Sequence, residues 1–396
     1  MKILVTSQHY WPEPFPSTDL CETLAQRGHT VRVITDIPNY PMGIIYPEYR
    51  GRKRRQEQRN GVQISRVFTI GRRNNILFRF LNYYSFSLAS ACYARRLKED
   101  YDVVLAVQSS PVMMVRGGLA YGRKNKKKTA FYIMDLWPAC LAAGGVGENS
   151  PIYKLFYRVS KKFYGRADRL LITSRMFRGY LRENFDIADE KIGYLPQYAS
   201  GQFDKLPVAG QKDTVDLMFA GNVGAAQSLT TVLEAADMLR EVEKLRFHIV
   251  GDGSELEHLQ QIAQQKNLAN VIFHGRKPPE EMPSYYAMAD AMVVTLTADP
   301  FIGLTLPAKV QSYMAAGKPV IAAANGEIPQ VIADAGCGYC APAEDSTAFA
   351  QAVQQFLDCP KKHTLGQKAR AYYEKHFTRE QFMETLEREL DALARQ

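Results

Sequence analysis

The chain has no long apolar run. Its first residues, MKILVTSQHYWPEP, contain no stretch long enough for a secretory leader, and Met1 to Ser7 already reads as a strand, so a cytoplasmic setting is expected. Cysteine is sparse and scattered: of Cys21, Cys92, Cys140, Cys337, Cys340 and Cys359, only Cys337 and Cys340 form a CxxC, with no second pair or nearby histidine. That pattern argues against zinc and disulfide chemistry and for reduced structural thiols. No carboxylate cluster with metal-ligand spacing is visible, so neither a metal nor a cofactor is expected. What is abundant is core-forming material. With 46% hydrophobic and 11% aromatic residues over 396 positions, general disorder is excluded and two domains with full cores are affordable.

Charge is unevenly placed. Residues 1–200 carry 32 lysines and arginines against 16 acids, a net of +16, whereas the rest carries 18 against 25, a net of −7. The two halves therefore face different partners. The basic half contains RGRKRR (50–55), Arg59, Arg72, Arg73, Arg79 and RKNKKK (123–128), a surface suited to anionic lipid, polyphosphate or nucleic acid. No nucleic-acid signature with interleaved aromatics accompanies these runs, so nucleic acid is not an expected partner.

The order of elements is α/β throughout. KILVTS, a proline-rich loop, STDLCETLAQRGH and TVRVITD read as a β-loop-α-β unit with Ser17 as N-cap and Gly28 as helix end. Strands are expected at 103–107, 130–134 and 169–173. A second opening begins near residue 214, where VDLMFAGNVG, RFHIVGDG, NVIFHG and AMVVTLT alternate with helices; 194–211 reads as linker. This gives two Rossmann-like domains, 1–200 and 201–375, each offering a ligand site at the carboxyl ends of its strands, with the sites expected to face across a cleft. Residues 376–396 form a last helix, expected to pack back on the N-terminal domain, with Phe382, Leu386, Leu390 and Leu393 at helical spacing.

In GLTLPAKVQSYMAAGKPVIAA (303–323), Pro307 fits a first helical position and Gly317 ends the helix before a buried strand from Val320. The helix start, with its dipole and free N–H groups, attracts phosphate, and Lys309 lies in its first turn. Small residues follow three further strands, at Gly221 and Asn222, at Gly251, and at His274 and Gly275, where backbone can approach a ligand closely.

These stretches, together with HYWPEP, PNYPMG, DLWP (135–138), FAGNVGAAQSL, VGDGSELEHL and FHGRKPPEEMPSYYAMAD, resemble the retaining glycosyltransferases of family 4, which have the GT-B fold. The similarity is greatest to the bacterial surface-polysaccharide branch, including L-fucosamine transferase-type enzymes. The resemblance implies a nucleotide-diphosphate sugar, by expectation a UDP-sugar, on the C-terminal domain, an acceptor on the N-terminal domain, and no metal. It places the diphosphate sugar at Leu304, Thr305, Leu306 and Lys309, the base near His274 and Gly275, and the nucleotide close to Gly251. Three departures stand out. The glutamate pair of many relatives is replaced by Leu304 and Ser312, the arginine and lysine after the FxG turn by Asn222 and Gln227, and a pair of glycines in the first loop by FPST.

Asp135, after a strand and before TrpPro, is the candidate to orient an acceptor or donor-sugar hydroxyl, and equally reads as a turn aspartate. His9 and Glu13 in the first loop are further acceptor-side candidates. The stretch 72–98, rich in Phe and Tyr and flanked by Arg72, Arg73 and Arg79, reads either as a core helix or as an interfacial helix on anionic lipid, and is a poor membrane span. A lipid-linked glycan acceptor at the inner face of the cytoplasmic membrane follows from the second reading. A soluble acceptor, an epimerase and a non-catalytic sugar-nucleotide sensor remain as alternatives.

Overall fold

The computed structural model describes every residue of 1–396 except Asn74, Ala209 and Gln211, and the side chains of Arg52 and Ile76 are also outside the description. The expected linker 194–211, the charge run 50–55 and the stretch 72–98 thus lie partly outside the described residues. The chain forms two compact units, Met1–Leu195 with Met383–Gln396, and Pro196–Phe382.

The first unit is built on an eight-stranded sheet: β1 Lys2–Thr6, β2 Thr30–Thr35, β3 Gln56–Arg59, β4 Val62–Arg66, β5 Val103–Gln108, β6 Thr129–Ile133, β7 Arg169–Ile172 and β8 Ile192–Tyr194. Their order is β3-β4-β2-β1-β5-β6-β7-β8, parallel except for β3 against β4. Strands such as VVLAVQ are apolar on both faces because helices cover both. The β3–β4 hairpin, unforeseen in the basic run, turns at Asn60 and Gly61, both at positive φ, the two-residue turn that matches strand twist. Ser17 does not cap the first helix. That helix, Pro16–Gln26, starts on Phe15 with proline in its first turn, and the Ser17 hydroxyl donates to the His9 carbonyl at 2.7 Å.

The second unit holds a six-stranded parallel sheet, β9 Val215–Ala220, β10 Leu245–Val250, β11 Val271–Gly275, β12 Ala291–Thr295, β13 Val320–Ala323 and β14 Gly338–Ala341, in the order β11-β10-β9-β12-β13-β14. The chain reverses its direction of travel across the sheet between β9 and β12, and there the pairing is short. β9 pairs with β10 as far as Ala220↔Val250, but with β12 only at Ala291↔Leu217 and Met292↔Met218. Beyond Met218 the two strands part, opening a slot at the carboxyl edge, the usual ligand position in open α/β sheets.

The last helix, Arg379–Ala394, carries the chain from the second unit back into the first. Met383, Leu386, Leu390 and Leu393 are buried, while Glu387 pairs with Arg27 and His29 and Glu389 with Arg169. These ion pairs keep some contact with water and contribute on the order of 1 kcal/mol, and a fully buried leucine several times that. The apolar stripe therefore holds this helix. Leu386→Ala is expected to cost about 2–5 kcal/mol in urea denaturation and Arg27→Ala about 1 kcal/mol or less; the reverse ranking would show that charge, not packing, anchors the chain end.

Candidate active site

The slot between β9 and β12 is filled from the helix Ala308–Ala315. Tyr313 on that helix is fully buried, and its hydroxyl donates to the Ala220 carbonyl at 3.0 Å while accepting from the Ala220 N–H at 3.1 Å. It thereby satisfies both backbone groups that β12 has left behind. The loop after β9 closes the top of the slot: the Thr297 N–H donates to the Ala226 carbonyl at 3.1 Å, and the Thr295 hydroxyl to the Gln227 carbonyl at 2.5 Å. Burial pushes the Tyr313 phenol up, so it stays neutral and able to donate.

Lys309, one turn before Tyr313, reaches into this slot. Its ammonium donates to Gln227 Oε1 at 2.5 Å, lies 4.0 Å from the centroid of the Phe219 ring, and would stand 3.0 Å from a Cβ placed on Gly221. No carboxylate is among these partners. Burial pushes its pKa down from 10.5 to about 7, the behaviour of a cation desolvated without a counter-ion. The helix start is also bare of side-chain caps. Pro307 is not a first helical residue as expected; it is the N-cap, extended at φ −66° and ψ 137°, and has no side-chain acceptor for the first-turn N–H groups.

The glycine turns pack tightly. A Cβ on Gly251, at φ +150°, would lie 1.8 Å from the Gly221 carbonyl oxygen, and one on Gly253 would lie 2.2 Å from that of Val223. Gly221 N–H donates to Val250 O and Gly251 N–H to Gly275 O, both at 2.9 Å, so the ends of β9, β10 and β11 form one shelf. The structure thus gathers Gly221, Gln227, Gly251, Gly275 and Lys309 at one sheet edge. Asn222 lies in the same turn, with its amide nitrogen 2.7 Å from where a Cβ on Gly224 would stand. Leu304 and Thr305 end the short helix Pro300–Gly303 by donating to Phe301 O and Ile302 O, Leu306 is buried, and the Ser312 hydroxyl donates to Ala308 O at 3.2 Å within its own helix.

One feature of this sheet was not read from the sequence. His274 Nε2 lies 2.8 Å from His248 Nδ1, and His248 Nε2 lies 3.0 Å from Asp216 Oδ1, linking three strands on one face. The signal was available only as pairing: Asp216, His248 and His274 come together because β9, β10 and β11 are neighbours in register.

In the first unit, the candidates also cluster at strand ends. His9 and Glu13 are not loop-surface residues. Both are buried; His9 Nδ1 meets Glu13 Oε2 at 2.8 Å, and Glu13 Oε1 accepts from the Asn39 and Tyr40 N–H groups at 2.6 and 2.7 Å. His9 also stacks on Phe15 at 4.4 Å. His9, Glu13 and Asp36 could offer three ligand atoms to a metal, but both Glu13 oxygens are already engaged by protein donors. Burial, then the nearby Glu13, push the Asp36 carboxyl well above its usual range. Glu13 thus ties His9 to the Asn39 and Tyr40 backbone, and the Asn39 amide in turn donates to Asp36 Oδ2 at 3.1 Å. Asp135 Oδ2 accepts from the Ser110 hydroxyl at 2.8 Å, and the Trp137 indole N–H donates to the same Ser110 oxygen at 3.0 Å. Burial raises the Asp135 carboxyl against the opposing pull of Ser110. Arg72 joins the network around Asn39 through its backbone N–H, which donates to Asn39 Oδ1 at 3.3 Å, while its guanidinium lies over Tyr83 at 6.0 Å; Arg73 lies over Phe78 at 4.4 Å, and Arg79 is exposed in the first turn of the helix Ile76–Arg96.

All six cysteines are free thiols. Among the described residues, no helix is long and apolar enough to cross a membrane.

The architecture is the GT-B fold, α/β with two units on parallel sheets. Residues 17–197 match the Glycosyltransferase Family 4 profile and residues 204–372 the profile of the glycosyl transferases group 1, which supports placing the chain among the GT-B glycosyltransferases of group 1 and family 4. WcaI of Escherichia coli, named as a colanic acid biosynthesis glycosyl transferase, is 28% identical over 409 residues, covering 96% of this chain and 97% of its own length. Among solved structures, a sucrose-phosphate synthase from Thermosynechococcus elongatus superposes with a TM-score of 0.78 at 19% identity over 99% of each chain. HepE of Anabaena, solved in complex with UDP, gives 0.72 at 14% identity over 99% of this chain and 100% of its own.

Removing the Tyr313 hydroxyl leaves the Ala220 N–H and C=O buried and unpaired. Tyr313→Phe is expected to lower stability by about 1–3 kcal/mol in urea denaturation; a loss of less than about 0.5 kcal/mol would mean that the strand end finds other partners.

Proposed function

We propose that this protein transfers a sugar from a UDP-sugar, held by the second unit, to a lipid-linked glycan acceptor of surface-polysaccharide synthesis, with retention at the anomeric carbon. The observation that carries the donor part is Lys309, a buried cation without a carboxylate, beside the Gly221 turn and in the first turn of an uncapped helix. A departing diphosphate gathers negative charge as its bond to the sugar breaks, and a preorganised ammonium with helix N–H groups neutralises it. Lys309 supplies from the helix the charge that Asn222 and Gln227 do not supply from the turn, and Gln227 orients it. In the retaining step the C1–O bond to the diphosphate breaks, the C1–O bond to the acceptor forms on the same face, and the acceptor proton passes to the leaving phosphate oxygen. No protein base is needed. The setting in polysaccharide synthesis is favoured by the similarity to WcaI over nearly the whole length of both chains.

A surface of the first unit favours a membrane-borne acceptor. On the helix Ile76–Arg96, Asn82, Phe86, Ser90 and Ala94 are buried, while Leu77, Leu81, Tyr84 and Leu88 form an exposed stripe. This helix is both core and surface: one face bears out the core reading, and the exposed apolar face supports the interfacial one. Phe80 stacks on Phe156 at 6.3 Å, bringing alongside it the helix Pro151–Tyr164 with exposed Ile152 and Leu155. Next to this ridge, grooves of about 290 and 590 Å³ share Arg123 and Arg166, with Arg95, Arg116 and Lys162 in one and Lys126, Lys127 and Lys128 in the other. Apolar side chains rimmed by cations suit an anionic bilayer surface.

Two measurements test these parts. A bound diphosphate restores the Lys309 proton, so UDP binding above pH 7 takes up a proton and weakens as pH rises from 7 toward 10. Titration calorimetry of UDP in two buffers at pH 8 is expected to show that uptake, and Lys309→Ala to lose it together with about tenfold or more in affinity; unchanged affinity in the variant would sink the donor site, and donor hydrolysis without transfer would leave the acceptor class wrong. Flotation with vesicles is expected to recover the protein on anionic lipid at low salt. Leu81→Glu with Leu88→Glu should reduce that recovery severalfold, and equal binding to zwitterionic vesicles would refute the electrostatic part.

A further inference from the structure

The helices Ile76–Arg96, Arg116–Asn125 and Pro151–Tyr164 meet around the groove of about 290 Å³ in the first unit. Five cations line it, Arg95, Arg116, Arg123, Lys162 and Arg166, and no carboxylate does. Among the described residues none of the five is ion-paired, whereas in the neighbouring groove Lys127 pairs with Asp100 at 3.0 Å and Lys128 with Asp168 at 3.3 Å. Like charges gathered without a counter-charge repel one another, and an anion entering the groove relieves all of them at once.

A cation in the last turn of a helix answers the carbonyl end, which accounts for Arg95, Arg123 and Lys162. Arg116 has no such role. It follows the 3-10 turn Val112–Val115 at the opposite end of its helix. Close packing holds it there: a Cβ on the next residue, Gly117, would stand 2.9 Å from the Ser90 Cβ, so the two helices touch one turn from Ser87.

Ser87 lines the same groove and is 1% exposed, and its hydroxyl has no hydrogen-bond partner. On the same helix the Ser85 and Ser90 hydroxyls do find one, donating to Asn82 O and Ser87 O at 2.9 and 3.2 Å. A buried hydroxyl left unpaired is costly, and an oxyanion that accepts from it and from the cations together removes that cost. The rest of the lining is apolar, with Met113, Leu119 and Phe163, and it includes Tyr84, a member of the exposed stripe that continues through Leu88. The groove therefore opens onto the apolar ridge.

We propose that this groove is a headgroup site for an anionic phospholipid, whose phosphodiester oxygens meet Arg116 and Ser87 while its acyl chains run past Tyr84 and Leu88 into the bilayer. Continuity fixes the occupant: a free phosphate uses the cations and leaves the ridge uncovered, and a lipid uses both. The site shares no residue with His9, Glu13 or Asp135, and a headgroup held in it sets the orientation of the first unit on the membrane. This inference rests on the membrane part of the reading above, and it replaces interchangeable surface charge with a defined pocket.

The test is calorimetric titration of the full chain with dihexanoyl phosphatidylglycerol below its micelle concentration, against inorganic phosphate and dihexanoyl phosphatidylcholine. Saturable binding of the phosphatidylglycerol is expected, about tenfold or more tighter than either of the others. Arg116→Ala should weaken it about tenfold. Ser87→Ala should weaken it severalfold with the urea midpoint unchanged or raised, because the hydroxyl it removes has no partner in the free protein. Replacing Lys126, Lys127 and Lys128 together by alanine should leave it within about twofold, since those charges lie in the other groove. A lysine variant that weakens binding as much as Arg116→Ala overturns the pocket in favour of diffuse charge, as does unchanged binding in both pocket variants. Equal affinity for phosphate and lipid overturns the lipid occupant. If no saturable binding occurs while the protein still floats with anionic vesicles, the site is overturned and the membrane reading stands; if flotation fails as well, both fall.

Discussion

The second unit depends on a single phenol. Where β9 leaves β12, the backbone of Ala220 is stranded inside the protein, and the Tyr313 hydroxyl gives it both a donor and an acceptor. A sheet that stayed paired at this point would have no room for a ligand, and one that parted without a substitute partner would carry two unpaired buried groups. The tyrosine permits the opening, and because it sits four residues after Lys309 on the same helix, it also fixes where that ammonium stands. Fold and electrostatics are therefore coupled through one short helix.

That coupling also shapes the electrostatics of the sheet edge, where charge is scarce. Leu304 and Ser312 bring no charge, and Asn222 and Gln227 bring only amides. Lys309 is instead desolvated, and a charge removed from water interacts more strongly with its surroundings than a hydrated one. The first unit follows the opposite strategy. His9, Glu13, Asp36 and Asn39 spend their polar atoms on one another and on backbone, holding the loops at the ends of β1 and β2 in place.

Much of the architecture was legible as alternation. The strand at 103, the strand at 320 and the last helix from 379 to 394 are short apolar runs or 3.6-residue stripes, which is how local pattern reports burial. Helix starts were less legible. Ser17 and Pro307 each had the right chemistry for the role given them, but tertiary hydrogen bonding drew the Ser17 hydroxyl to His9, and the extended chain before Ala308 moved Pro307 one place outward. The β3–β4 hairpin hid in a run of charges because its polar alternation has only one covered face. Lys309 could be named from the phosphate-binding logic of a helix start; that Gln227 would receive it could not, since the two lie 82 residues apart. The Asp216–His248–His274 link was invisible for the same reason, being a property of strand neighbours and not of any segment.

The glycine shelf has a consequence for how such a site can change. At Gly251 and Gly253 the carbonyl of one turn occupies the volume where another residue's side chain would begin, so these positions are closed to every other amino acid by steric exclusion, and at Gly221, at φ +148°, a Cβ would stand against the Lys309 side chain. Diversification is thereby channelled into the side chains that border the shelf without building it. The contour of this sheet edge is a constant of the scaffold, and the room for change lies on its margins: at Leu304 and Thr305 on one side, and at the end of β11 on the other.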